Sequence, residues 1–174
     1  NNAYRMALQT REQHIKRDRA TSNICTAQVL LSVMAGMYAV YHGKDGLIKI
    51  ATKIATLTQL LENGISSLDY NQENENFFDT LKIKVSSEDK DKIKKLAETN
   101  YLNFRYFETD HIGISLDETT QVSNVLDILN IFSEVSGKSL EINLNNIDDL
   151  NHNISGNQIR NSEFLSHEVF NKYH

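Results

Sequence analysis

Apolar side chains occur on most sides of a helix between residues 24 and 41: Ile24, Ala27, Leu30, Leu31, Met34, Met37, Tyr38 and Tyr41. A helix that is apolar all round is normally buried against several neighbours. Thr21, Ser22 or Asn23 supplies an N-cap oxygen for its free backbone N–H groups. Gly43 supplies a stop, because glycine enters the left-handed region without steric cost. A second helix is predicted from near Asp45, with Leu47, Ile50, Ala51, Ile54, Leu57, Leu60 and Leu61 at helical spacing and Asn63-Gly64 at its end. Upstream, Tyr4, Met6 and Leu8 alternate with Arg5 and Ala7, which predicts a short strand over residues 1–8.

Residues 70–76 are a polar breaker, and a different rhythm follows it. Leu81, Ile83 and Val85 alternate with Thr80, Lys82 and Lys84, the pattern of a half-buried strand. Ser86 or Ser87 caps a short helix with Glu88, Asp89 and Asp91 near its positive end. Ile93, Leu96 and Ala97 form that helix's inner face, and Asn100 closes it. Leu102, Phe104 and Tyr106 alternate, as do Ile112, Ile114 and Leu116; Glu108-Thr-Asp-His111 between them is a loop of hairpin length. Thr119 or Thr120 caps a last helix carrying Val122, Val125, Leu126, Leu129, Phe132 and Val135, and Gly137 ends it. Residues 138–160 are asparagine-rich and predict a weakly structured connection. Phe164, Leu165, Val169 and Phe170 make residues 164–174 a docking segment. The expected fold class is α+β: a helical arm over 1–66, a small two-layer domain with a largely antiparallel sheet over 67–137, and a connection over 138–174.

Composition narrows the function classes. The chain has 174 residues, 40% hydrophobic, with net charge -5. A core is within reach at this length. The cations are interspersed with acids, unlike a nucleic-acid footprint. The single cysteine, Cys25, excludes an internal disulfide framework and favours a reducing compartment. The most apolar stretch, Ile24 to Tyr41, is interrupted by Thr26, Gln28 and Ser32, so no membrane span is expected. No secretory leader pattern opens the chain. The opening Asn1-Asn2-Ala3 lacks an initiator Met, which leads to the expectation of a fragment or a processed product.

Candidate chemistry is sparse. Arg11, His14, Lys16 and Arg17 read either as an anion- or partner-binding cluster or as a solvated ion-pair network with Glu12 and Asp18; charge-dense runs are usually surface. Cys25 lies near a helix start, where a thiol can be activated, but Ile24 and Ala27 beside it favour burial as a small hydrophobe. The six histidines (His14, His42, His111, His152, His167 and His174) show no metal-ligand spacing. His42 is expected at a helix end and His111 at a hairpin tip. No nucleophile elbow or glycine-rich phosphate loop occurs. No residue is therefore assigned as catalytic, cofactor-binding or metal-ligating.

The order of residues says more than their periodicity. Tyr4 to Gln28, containing Thr10-Arg-Glu-Gln-His-Ile-Lys-Arg-Asp-Arg-Ala-Thr-Ser-Asn-Ile-Cys25, closely resembles the P-protein family of glycine cleavage systems, glycine dehydrogenase (decarboxylating). So do Met37-Tyr-Ala-Val-Tyr-His-Gly43, Phe77-Phe-Asp-Thr-Leu-Lys-Ile83, Asn103-Phe-Arg-Tyr-Phe-Glu108, Ile112-Gly-Ile-Ser-Leu-Asp-Glu-Thr119 and Phe164-Leu-Ser-His-Glu-Val-Phe-Asn-Lys-Tyr-His174. Only 45–76 and 138–160 are loosely matched. The resemblance implies a type I pyridoxal-phosphate enzyme built from two homologous halves. These blocks would then run from the end of the N-terminal half's large domain through its small domain. It implies that the Schiff-base lysine lies in the other half, in a glycine-rich stretch absent here, so no lysine of this chain is assigned as the anchor.

The resemblance further implies that the parent reaction releases the glycine carboxylate as carbon dioxide. Pyridoxal phosphate is the electron sink, and the aminomethyl group passes to the lipoyl arm of the H-protein. Expected partners are glycine, the H-protein, the catalytic half and further copies of the chain; neither nucleic acid nor membrane is expected. The block from Arg11 to Gln28, with Arg17 and Arg19, is the segment expected to steer an acidic carrier. The compartment would be the cytoplasm of a bacterium or the mitochondrial matrix of a eukaryote. The segment itself would be structural and inactive alone. The competing reading is a stand-alone regulatory or dimerisation module. In isolation, the apolar helix from Ile24 to Tyr41 should find a substitute partner, most simply a second copy.

Overall fold

The structure is a computed structural model and describes residues 26–142, 144, 147, 156 and 159–173. Its elements are α1 (Thr26–Ser67), β1 (Asn71–Gln72), β2 (Thr80–Lys84), α2 (Ser87–Thr99), β3 (Arg105–Tyr106), β4 (His111–Ser115) and α3 (Val122–Ser136), followed by a 3-10 turn at Glu168–Asn171. The four strands form an antiparallel sheet in the order β1-β2-β4-β3. The fold is α+β. The expected strand over 1–8 and the caps at Thr21, Ser22 and Asn23 lie outside the described residues.

The chain divides into two compact units, one of Asp45–Phe164 and one joining Asn1–Lys44 with Leu165–His174. Gly43 marks the change. With φ 60° and ψ -172° it is not helical, and it splits α1 into two helical stretches at the predicted stop. Such a conformation is open to glycine and costly for a residue with a Cβ.

In the unit Asp45–Phe164 one core joins the inner face of the sheet to α2, α3 and the second stretch of α1. Leu57, Leu60, Leu61, Ile65 and Leu68 from α1 and its end share a cluster with Leu81, Ile83, Ile112, Ile114, Ile93, Val125, Leu129 and Phe132. The β2 alternation appears as predicted: Leu81 and Ile83 are fully buried while Thr80 and Lys84 face water. Tyr70 meets Phe132 edge-on at 5.2 Å between ring centroids. Burial first, and the Asp89 carboxylate second, push the Tyr70 hydroxyl up to about 12.

Local chemistry explains the helix ends. Ser86 caps α2 by accepting from Asp89 N at 3.0 Å, as expected. Asn100 is its C-cap. Tyr101 N then donates to Glu98 O and Leu102 N to Ala97 O, a Schellman ending. Tyr101 takes the left-handed position of that motif at φ 59° and is 98% exposed. Gly137 closes α3 with φ 69°.

Five expectations are corrected. Asn63-Gly64 does not end the second helix, which runs to Ser67. Gly64 is instead a close-approach site: a Cβ there would lie 2.6 Å from both Leu129 methyl carbons. The cap of α3 is Gln121, whose N–H donates to Asn124 Oδ1 at 2.9 Å. Thr119 and Thr120 are drawn away because Asp117 Oδ1 accepts from both hydroxyls. The stretch 70–76 is more than a breaker, since Asn71 and Gln72 pair with Lys84 and Ile83. His111 is not at the hairpin tip; it opens β4 opposite Lys84. Of residues 138–160, Leu140, Ile142 and Ile147 pack against the core.

Gly64→Ala should destabilise the protein by about 1–3 kcal/mol, because overpacking against Leu129 outweighs the ~1 kcal/mol of helix propensity that alanine supplies. The midpoint of urea unfolding measures it, and a rise in the midpoint would contradict the close-packing account.

Candidate interaction surfaces

The first stretch of α1 shows an apolar surface. Val29, Leu30, Leu31, Val33, Met34, Met37, Tyr38 and Tyr41 are all exposed, with Leu30 and Leu31 at 63% and Met34 at 58%. Burial was expected of this helix, and in this chain it faces solvent. At 3.6 residues per turn these positions sweep about 200° of the helix circumference, well beyond the ~100° stripe of an ordinary surface helix. A single partner helix covers a narrower band, so this stretch suits a site among several elements. Full burial of each such side chain stabilises by about 1.5–3 kcal/mol. At the end of the stretch His42 packs its ring 4.3 Å from Tyr38 and 5.0 Å from Tyr41, the helix-end position expected of it.

The outer face of the sheet carries charge. Glu73 N donates to Lys82 O at 2.9 Å, extending the β1–β2 pairing by one residue. The Glu73 carboxylate accepts from Lys82 Nζ at 2.9 Å. His111 Nε2 lies 2.8 Å from the same oxygen, without a well-directed hydrogen bond. The other ring nitrogen, Nδ1, is 2.9 Å from Thr109 Oγ1. The Lys82 hydrogen bond first, and the His111 contact second, hold the Glu73 carboxyl below the usual carboxylate range. Asn74 Oδ1 accepts from Lys82 N at 2.7 Å and secures the same edge. Sequence reading missed this cluster. Glu73 lies in a polar run and His111 far along the chain; the only available signal was that His111 and Lys82 belong to strands that pair.

A cavity of about 390 Å³ lies between the second stretch of α1 and the start of α3, lined by Ile48, Thr52, Leu57, Val122 and Ile147, with Lys49 and Lys53 beside them. A pyridoxal-phosphate anchor requires an amine held in a desolvated pocket. Lys49 is exposed, and Lys53 Nζ donates to Glu118 O at 3.0 Å. Neither lysine of this cavity is held as a desolvated amine. No group of histidine, cysteine and carboxylate side chains that would hold a metal occurs among the described residues. No helix among them is long and apolar enough to cross a membrane.

The charged block with Arg11, Glu12, His14, Lys16, Arg17, Asp18 and Arg19 lies outside the described residues, as do Cys25, His152 and His174. Phe164, Leu165, Val169 and Phe170 are half-buried, and His167 Nδ1 accepts from Val169 N at 3.2 Å to cap the short turn that carries Val169 and Phe170.

Comparison with known proteins agrees with the residue order. The family model described as glycine cleavage system P-protein matches residues 1–132. The chain belongs to this family. It is 47% identical over 174 residues to glycine dehydrogenase (decarboxylating) of Bacteroides fragilis, covering 98% of this chain and 18% of that protein. The enzyme of the same name from Christiangramia forsetii is 48% identical over 176 residues, and that from Synechocystis 47% over 176 residues, each covering 100% of this chain and 18% of the relative. The chain thus spans about a fifth of the length of the curated relatives it matches.

Two outcomes are expected. A depressed carboxyl stabilises the fold fully above its ordinary value of about 4.3, and that contribution is lost as pH falls through the lower folded value. Glu73→Gln should therefore flatten the acid limb of a melting-temperature profile while leaving its slope above neutrality unchanged. Separately, the 174-residue chain should self-associate through its apolar stretch, and Leu30→Glu with Met34→Glu should return it to a folded monomer in sedimentation velocity. A wild-type chain that stays monomeric at high concentration would contradict this.

Proposed function

We propose that these residues are a structural segment of a P-protein that decarboxylates glycine with pyridoxal phosphate and passes the aminomethyl group to the lipoyl arm of the H-protein. The Schiff-base lysine and the cofactor pocket belong to another part of that polypeptide or to a companion subunit. The observation that carries this reading is the apolar stretch from Val29 to Tyr41, exposed in a chain that spans only 18% of its relatives' length. A helix of this breadth is stable in water only when neighbours cover it, and the unmatched four-fifths of the relatives is the natural source of those neighbours.

In this proposal the arm lies within the large domain of the N-terminal half, and the sheet with its helices is the small domain of that half. Glycine and the H-protein are partners of the complete enzyme. The compartment follows the parent enzyme, the bacterial cytoplasm or the mitochondrial matrix.

Reconstitution tests the assignment. The 174-residue chain, given pyridoxal phosphate, glycine and lipoylated H-protein, should release no carbon dioxide and should show no Schiff-base absorbance band; adding the remaining polypeptide should restore both. Carbon dioxide release by this chain unaided would overturn the proposal.

A further inference from the structure

Antiparallel pairing sets Lys82, Gly113 and Arg105 side by side across three strands, so all three belong to the outer face of the sheet. Lys84 and His111 form the next pair along. Gly113 is what brings the row together: a Cβ there would stand 3.2 Å from Arg105 Cβ and 3.2 Å from Phe107 Cε2. Without that atom, Arg105 and Phe107 settle over bare backbone, with the guanidinium carbon 5.4 Å from the Phe107 ring centroid. Ring contact of this kind restricts a long side chain while leaving the guanidinium's in-plane N–H donors available.

The charges on this face are unbalanced. Glu73 is engaged by Lys82 and His111. Among the described residues neither Arg105 nor Lys84 has a carboxylate partner, although the chain holds 23 acidic against 18 basic residues. The guanidinium of a ring-restrained arginine is itself a planar fork that matches a carboxylate, and Lys84, on the far side of β4 and two residues along, adds a second cation to the same face.

We propose that this outer face docks a carboxylate-bearing surface of the remaining P-protein polypeptide, with Arg105 as the anchor and Lys84 as a second cation on the same face. Charge complementarity selects an acidic occupant. The 18% coverage of the relatives identifies the rest of the same polypeptide as the chain available to supply it. The proposal rests on the segment reading above and adds a defined contact to it.

Zero-length carbodiimide cross-linking of the complete protein, followed by peptide mapping, reads the contact directly. An isopeptide bond is expected between Lys84 Nζ and an Asp or Glu of the same polypeptide outside residues 1–174. Its yield should fall several-fold in Arg105→Gln and in Gly113→Ala, and recover in part in Arg105→Lys, which keeps the charge and loses the fork. Thermal melts of each variant confirm that it is folded; a Lys84→Gln protein, which removes the reacting amine, is the blank. A Lys84 cross-link only to a carboxylate within 1–174, to a separate acidic protein or to the same segment of a second copy overturns the proposal, as does no cross-link at all. Intact mass tests the premise separately: a full-length mass without the expected cross-link rejects the docking face and leaves the segment reading standing.

Discussion

The approach of α1 to α3 at Gly64 is the constraint on which the unit Asp45–Phe164 depends. Because residue 64 has no side chain, Leu129 reaches the α1 backbone and the two helices share one layer above the sheet. That layer gives Leu81, Ile83, Ile112 and Ile114 a surface to bury against, which in turn fixes strand register, since a slip by one residue would turn the buried set outward. The polar outer face follows from the same alternation: Lys82, Lys84 and His111 are outside because their neighbours are inside.

Elements whose signal is local were legible in the sequence. The alternation through Leu81, Ile83 and Val85, the Ser86 cap, the Asn100 ending and the Gly137 stop each depend on a few adjacent residues, and the structure has them where the pattern puts them. Elements decided by competition or distance were harder. Gly64 carries the same local mark whether it ends a helix or admits a neighbour, and only the position of Leu129 distinguishes the two. Thr119 and Thr120 were sound cap candidates until Asp117 claimed their hydroxyls. The Glu73–Lys82–His111 cluster joins three strands, and no window along the chain contains all of its members.

The apolar stretch of α1 shows the two kinds of information meeting. Its chemistry reads as core, yet the side chains from Val29 to Tyr41 lie in solvent here. Residue order identified the family, and under the proposal above the surface such a helix needs belongs to the part of the relatives that this chain does not span. Arg105 and Gly113 lie within matched blocks yet attracted no notice as chemistry, because an arginine and a glycine eight positions apart mean little until a hairpin sets them abreast.

The interruption at Gly43 has an evolutionary corollary. It separates a helical stretch whose apolar side chains are exposed, and which the proposal above covers with surfaces elsewhere, from one whose side chains pack in the core of the local sheet. Substitutions on either side of that residue are thus filtered by different neighbours: those at 26–42 should covary with distant parts of the polypeptide, and those at 45–67 with the strands and helices beside them. A single continuous helix would have tied the two histories together.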